Sequence, residues 1–241
     1  MADPMNKKRI LLKLTGEIFL AKDGTSTPEN VLTIIHQIKE LSDSFQFGIV
    51  IGGGNFFRGS QHGVKMGIRS PVGHQIGMLA TMMNGLMLKD LFEQHGLSAE
   101  LLCAMPSPEI GKPISQQSIN GSLKKGEILI FTGGTGNPFF TTDTTAILRA
   151  LQIQADEIWK GTSIDGVYSA DPKKDASAHK IETLTFEYAI KQHLGIMDLT
   201  AYAMAEQHDE TIRIFDIFSP NALLKAARDP EFGSTISKGT H

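Results

Sequence analysis

Residues 127–143 read EILIFTGGTGNPFFTTD, and three kinds of segment follow one another in that run. Glu127–Thr132 is a short, nearly continuous apolar stretch, the composition of a strand buried on both faces of a parallel sheet. Gly133, Gly134 and Gly136, with the hydroxyls of Thr132 and Thr135, then make a turn whose backbone N–H groups no side chain obstructs. A helix is expected to begin near Asp143, so the turn lies against a helix N-terminus, whose partial positive charge favours an anion. Asp143 itself reads as the cap of that helix.

Working outward, the same alternation recurs. Strands are expected at Arg9–Leu14, Phe47–Ile51, Ala99–Ala104, Glu157–Lys160 and Thr211–Asp216. One helix starts at Thr27-Pro28, a cap with proline at the first helical position. Its Val31, Ile34, Ile35, Ile38 and Leu41 fall on one face. A second runs from about Val72 to Gln94, and others begin near Phe186, Leu199 and Pro220. This β-α alternation implies an α/β fold, a doubly wound sheet with helices on both sides. With no repeat, low-complexity tract or linker, residues 1–241 read as a single domain with two lobes. Ligands of such sheets sit beyond the carboxyl ends of the strands, so chemistry is sought just after each one.

Two further strand ends carry the same kind of equipment. The first is Lys13-Leu14-Thr15-Gly16-Glu17, in which a lysine inside an apolar strand end must reach solvent or an anion. Alone, a lysine snorkelling before an ordinary turn explains it equally well. The second is Gly52-Gly53-Gly54-Asn55, followed by Phe56-Phe57-Arg58-Gly59, where Arg58 offers a planar fork suited to phosphate oxygens. In isolation this could be a flexible loop. Three glycine and hydroxyl turns at three strand ends are hard to explain structurally. They are not the usual fingerprints, however. Gly111-Lys112 is followed by Pro113 and lacks the upstream glycine of a P-loop, and Gly134-Thr135-Gly136 is followed by Asn137-Pro138-Phe139 rather than the last part of a dinucleotide motif.

Composition narrows the class. Lys plus Arg total 23 and Asp plus Glu 26, a formal net charge of −3, which argues against a general nucleic-acid or membrane-surface binder. The single cysteine, Cys103, allows no intramolecular disulfide and implies a reducing compartment. Leu101, Leu102, Ala104 and Met105 around it suggest a buried strand residue rather than a nucleophile. No apolar stretch approaches the roughly 20 residues needed to span a bilayer, so a cytoplasmic protein is expected. None of the eight histidines stands out as catalytic; His36, His95, His179 and His208 read as surface residues.

Taken together, several segments carry a family resemblance. They are Lys13 to Glu17, Gly52 to Gly59, Gly77-Met78-Leu79-Ala80-Thr81, Gly134 to Asp143, Asp165-Gly166-Val167-Tyr168-Ser169-Ala170-Asp171-Pro172, and Met197-Asp198-Leu199. In order, from about Arg9 to Ile236, the chain resembles the bacterial uridylate kinases of the amino acid kinase fold. That resemblance implies a three-layer αβα sandwich around a mainly parallel central sheet, with an N-terminal acceptor-binding lobe and a C-terminal ATP-binding lobe. It also implies transfer of the γ-phosphoryl group of ATP to UMP with Mg²⁺, by a homohexamer. Lys13 would stabilise the transferring phosphoryl group and Asp198 would orient Lys13. ATP would meet Lys13, Leu14, Thr15, Gly16, Gly54 and Arg58, with Thr162, Tyr168 and Asp171 around its nucleoside. UMP would meet Gly53, His74 and the run Thr135, Gly136, Asn137, Pro138, Phe139, Phe140, Thr141 and Thr142. Metal ligands are not identified.

The acceptor explains the missing histidine. A phosphate monoester has its second pKa near ~6, so UMP is largely ionised at neutral pH and needs no general base. Four positions depart from the family pattern: Thr15 replaces serine, His74 replaces an aspartate near the acceptor ribose, Ser163 replaces a lysine of some members, and Phe19–Thr27 is short. A neutral imidazole accepts one hydrogen bond where a carboxylate accepts several, so a rearranged ribose contact is expected at His74. Two alternatives remain beside this reading. One is a same-fold kinase for carbamate or an amino-acid carboxylate; the other is a nucleotide-binding storage or regulatory protein without the chemistry.

Overall fold

The first strand, β1 (Lys8–Leu14), is flanked on one side by β2 (Phe45–Ile51) and on the other by β6 (Glu157–Thr162), both parallel to it. Outward from β2 come β5 (Ile128–Thr132), β3 (Ala99–Cys103) and the two-residue β4 (Lys112–Pro113). Outward from β6 come β10 (Ile212–Asp216), β11 (Ser234–Ser237) and β9 (Thr183–Thr185). The order is β4-β3-β5-β2-β1-β6-β10-β11-β9, and only the β10–β11 pair is antiparallel. A separate hairpin joins β7 (Val167–Tyr168) to β8 (Lys180–Ile181). This computed structural model describes residues 7–57, 63, 65–170, 172, 174, 175 and 177–239.

Side chains alternate across the sheet with a period of two, and two cores result. Ile10, Leu12, Phe47, Ile49 and Trp159 face one core, against α1 (Glu29–Leu41), α2 (Ser70–Gln94) and α7 (Ala222–Arg228). Leu11, Val50, Leu129, Phe131 and Ile158 face the other. That side is covered by α3 (Gln116–Lys124), α4 (Thr142–Ile153), α5 (Phe186–Lys191) and α6 (Leu199–Gln207). Helices on both faces of a mainly parallel sheet give the three-layer α/β fold expected from the alternation. Cys103 is buried, as its apolar neighbours suggest, and forms no disulfide.

Some boundaries shift. Pro28 occupies the cap of α1 rather than its first turn, and Thr27 accepts from the Glu29 amide at 3.4 Å. The helix expected near Pro220 starts at Ala222, after Asn221 in the left-handed region. The sequence reading missed α3, whose polar stretch QQSINGSLK carries little periodicity. Ser115 and Ser118 close a reciprocal capping box that starts it. It also missed β4, β7, β8, β9 and β11, all four residues or shorter.

Candidate active site

Four neighbouring parallel strands end side by side, at Thr132 of β5, Ile51 of β2, Leu14 of β1 and Thr162 of β6. The β1–β6 register pairs Lys13 with Lys160 directly. Both share the parity of Leu11 and Ile158, so both lie on the side of the sheet covered by α4. Two ammonium groups in that position repel each other, and one carboxylate reconciles them. Asp143, in the first turn of α4, places Oδ1 3.1 Å from Lys13 Nζ and Oδ2 2.7 Å from Lys160 Nζ. The three side chains are only 14%, 8% and 15% exposed for Lys13, Lys160 and Asp143, so solvent screens them weakly. Lys160 Nζ also donates to the Ile196 carbonyl.

Burial alone would raise the pKa of Asp143, but the charges of Lys13 and then Lys160 outweigh it and hold the carboxyl below its usual range. Burial pulls Lys160 down to about 8, against the pull of Asp143 and with help from the charge of Lys13. The cation at Lys160 is therefore present below about pH 8 and lost above it. Affinity for an anion held by the two ammonium groups should fall as pH rises through that value. The Lys160→Arg variant, whose guanidinium stays protonated, should lose this alkaline limb. Calorimetric titration of ATP, the ligand that the resemblance implies, from about pH 6.5 to about pH 9.5 checks both expectations.

One assignment changes here. Asp143 does not cap α4; Thr141 does, accepting from the amides of Asp143 at 3.0 Å and Thr144 at 3.4 Å. The carboxylate of Asp143 is thus left for the lysines. Asp198, expected to orient Lys13, caps α6 through the Ala201 amide at 2.9 Å. It also accepts from the hydroxyls of Thr141 at 2.5 Å and Thr144 at 2.9 Å, tying the start of α6 to the start of α4. Sequence reasoning missed Lys160, although the signal that drew attention to Lys13, a lysine at the end of an apolar strand, is present there too.

A cavity of about 260 Å³ opens between the ends of β1 and β6 and brings Lys13, Thr15, Lys160 and Thr162 together. Leu14 and Gly16, expected on the same ligand, are buried and do not line it. Tyr168 stands apart on β7, its hydroxyl donating to Asp165 at 2.9 Å. Gly53 is packed under α2, where an added Cβ would sit 2.7 Å from that of Ala80, and Gly54 is half-buried beside it. Arg58 and Asp171 lie outside the described residues.

The segment from Gly133 to Thr141 runs from the end of β5 to the start of α4. Gly133, Gly134, Gly136 and Phe139 all have left-handed backbone, with φ of 74°, 59°, 82° and 73°. Gly136 closes a turn onto the Gly133 carbonyl at 3.0 Å, and the Thr135 hydroxyl accepts from the Asn137 amide at 3.2 Å. Positive φ in a residue as large as Phe139 is a local strain of the kind found at ligand sites. That ring is 67% exposed and lies 5.2 Å from His74 of α2. Pro138 is half-buried, Phe140 and Thr141 are exposed, and Thr142 begins α4. Among the described residues no group of three or more His, Cys, Asp or Glu can hold a metal ion. The carboxylate of Asp143 is already engaged by both lysines, which suits a cation carried in on phosphates.

Known proteins match this chain over nearly its whole length. Residues 8–216 match the model of the amino acid kinase family. A protein named uridylate kinase from Psychrobacter sp. (strain PRwf-1) is 42% identical over 230 residues, 95% of each chain. Another of that name from Thermotoga maritima is 41% identical over 95% of this chain and 98% of its own. Among solved structures, UMP kinase from Ureaplasma parvum superposes with a TM-score of 0.91 at 31% identity, covering 96% of this chain and 99% of that one.

Proposed function

Since the chain belongs to the amino acid kinase family, we propose that it transfers the γ-phosphoryl group of ATP to UMP, giving ADP and UDP, a step of pyrimidine nucleotide biosynthesis. The observation that carries this reading is the Lys13–Asp143–Lys160 bridge on the wall of a cavity beside the Gly133–Thr141 loop. Phosphoryl transfer asks a protein mainly for positioning and for positive charge on the migrating group. Lys13 and Lys160 supply two ammonium groups at fixed spacing, and Asp143 prevents their mutual repulsion from dispersing them. In this assignment ATP occupies the cavity, with its phosphates toward Lys13, Thr15, Gly16 and Gly54 and its nucleoside toward Thr162, Tyr168 and Asp171. UMP lies on the other side, against Gly53, His74 and the run Thr135–Thr142.

Mg²⁺ bound to ATP would neutralise phosphate charge, and the chain's own groups then act on the remainder. Lys13 and Lys160 hold the γ-phosphoryl oxygens, while UMP, already ionised, attacks without a protein base. The N-terminal part would hold the acceptor and the C-terminal part ATP. We assign the reaction to the cytoplasm and to a homohexamer, and the exposed side chains Leu79, Met83, Leu86 and Met87 along one face of α2 offer an apolar surface for a subunit contact. Among the described residues no helix is long and apolar enough to cross a membrane.

The test is a coupled assay of ATP consumption with UMP, CMP, carbamate, glutamate and aspartate as acceptors. Selective turnover of UMP is expected. Selective turnover of carbamate or an amino acid would sink the assignment, and binding of nucleotides without any turnover would favour a regulatory protein.

A further inference from the structure

The loop that walls the acceptor side has a mechanical problem. Gly133 and Gly134 are consecutive glycines, both left-handed, and glycine backbone has no side chain to restrain it. Two buried side chains from opposite helical layers grip them. From α2, the Thr81 hydroxyl accepts from the Gly133 amide at 2.9 Å and donates to the Met78 carbonyl at 2.7 Å. From α4, on the other face of the sheet, Arg149 Nη2 donates to the Gly134 carbonyl at 3.1 Å. Each side chain is 4% exposed.

Arg149 is an expensive way to make that contact. Its guanidinium lies over the Phe131 ring, 5.8 Å from the centroid, and Nη1 donates to Gln152 Oε1 at 2.6 Å. Nε has no partner, and no carboxylate among the described residues is paired with Arg149. Burial lowers its pKa to about 10, which still leaves it cationic at neutral pH. A buried cation with no counter-ion destabilises a fold, and an apolar side chain would fill the space between α4 and β5 at lower cost. The arrangement is better explained by what the cation does for the loop.

We infer that Arg149 is a positioning residue for the acceptor: with Thr81 it holds the Gly133–Gly134 segment from both sides and so presents Thr135–Thr142 to UMP in its binding conformation. This inference rests on the assignment of that run to UMP. The loop is ordered before the ligand arrives, so less ordering is left for binding to supply. ATP, lodged between β1 and β6, does not touch this grip. Arg149 therefore governs the acceptor and leaves ATP alone. The fork geometry matters as well as the charge, since Nη1 and Nη2 serve two acceptors at once, which a lysine cannot reproduce.

The experiment compares the unaltered protein with Arg149→Met, Arg149→Lys and Thr81→Val in steady-state kinetics, with UMP and ATP varied in turn. Thr81→Val keeps the shape while removing the acceptor for the Gly133 amide, and it works from the other layer. Expected is a rise of about tenfold in the KM for UMP in Arg149→Met and in Thr81→Val, with the KM for ATP changed by less than about twofold. Arg149→Lys should fall between Arg149→Met and the unaltered protein. The double variant should cost less than the product of the single effects, because both side chains hold one segment. Parallel changes in both KM values, or no change in either, would overturn the role. Should Arg149→Met not fold, Thr81→Val and Arg149→Lys decide the matter alone. Failure of the unaltered protein to phosphorylate UMP would instead refute the assignment of the acceptor, and it is read before any variant.

Discussion

Replacing Asp143 with alanine is expected to lower kcat for UMP phosphorylation by about a thousandfold. It should also lower the unfolding temperature by roughly 6–12 °C, the equivalent of about 3 kcal/mol. The two losses share one cause. Without the carboxylate, Lys13 and Lys160 remain side by side on adjacent strands, largely buried and of like charge. One of them must lose its proton or turn away, and either outcome removes positive charge from the migrating phosphoryl group. Asp143→Asn keeps the shape and should show nearly the same kinetic loss, which separates charge from packing. Lys13→Ala removes the repulsion along with one donor, so it should lose turnover with much less loss of stability. The double variant Lys13→Ala/Asp143→Ala should be little worse in kcat than either parent, because the residues act as one unit. Steady-state rates and thermal unfolding on the four proteins check this. A single variant of Asp143 that retains full turnover would refute the charge bridge.

The second large effect comes from a hydrogen atom. A methyl group on Gly16 would stand 2.7 Å from the Gly52 carbonyl and 2.8 Å from Asn84 Nδ2, and would overlap Asn55 Oδ1. Asn84 donates to the Gly52 carbonyl at 2.6 Å, and the two asparagines exchange hydrogen bonds at 3.0 and 2.7 Å. The turns after β1 and β2 are thus locked to each other and to α2, with no room for a side chain at the junction. Gly16→Ala must push one turn away, and Lys13 and Thr15 stand on the turn that moves. We expect a drop of at least about a hundredfold in kcat/KM, since small misplacements of donors are costly in phosphoryl transfer. Stability should fall by about 1–3 kcal/mol from overpacking. Gly121→Ala, on the exposed side of α3 with nothing near its Cβ, should leave both kinetics and stability at the unaltered values or slightly improve the latter. Equal behaviour of the two variants would show that the contact at Gly16 is soft.

Legibility in the sequence followed from how local each signal is. Strands such as Arg9–Leu14 and Phe47–Ile51 were visible because burial on both faces leaves runs of Ile, Leu and Val. The amphipathic face of α1 was visible for the same reason. The short strands at and next to the sheet edges, β4, β9 and β11, carry too few apolar residues to show. Within the site, Lys13 and the glycine turns were legible as unusual residues in regular surroundings. Asp143 was seen and misread, because an acidic residue at a helix start has a sufficient local explanation as a cap. Only the cross-strand register of Lys13 and Lys160 reveals its second task, and a register between residues so distant leaves no trace in a single sequence. Arg149 and Thr81 escaped for a similar reason: each reads as an ordinary helix residue until the Gly133–Gly134 segment is brought against it.

The place of β1 in the sheet has a consequence for how the protein is made. Its strand partner on one side, β6, is far away: the pairing that seats Lys13 beside Lys160 joins segments separated in sequence like Arg9 and Asp156, 147 residues apart. Closing so long a loop is slow and comes after more local pairings such as β1 with β2. A chain still emerging from the ribosome can therefore build the first strands and helices without possessing a phosphoryl-binding centre. The lysine bridge exists only once β6 has docked beside β1, so a chain that has not yet been made as far as Lys160 cannot possess it.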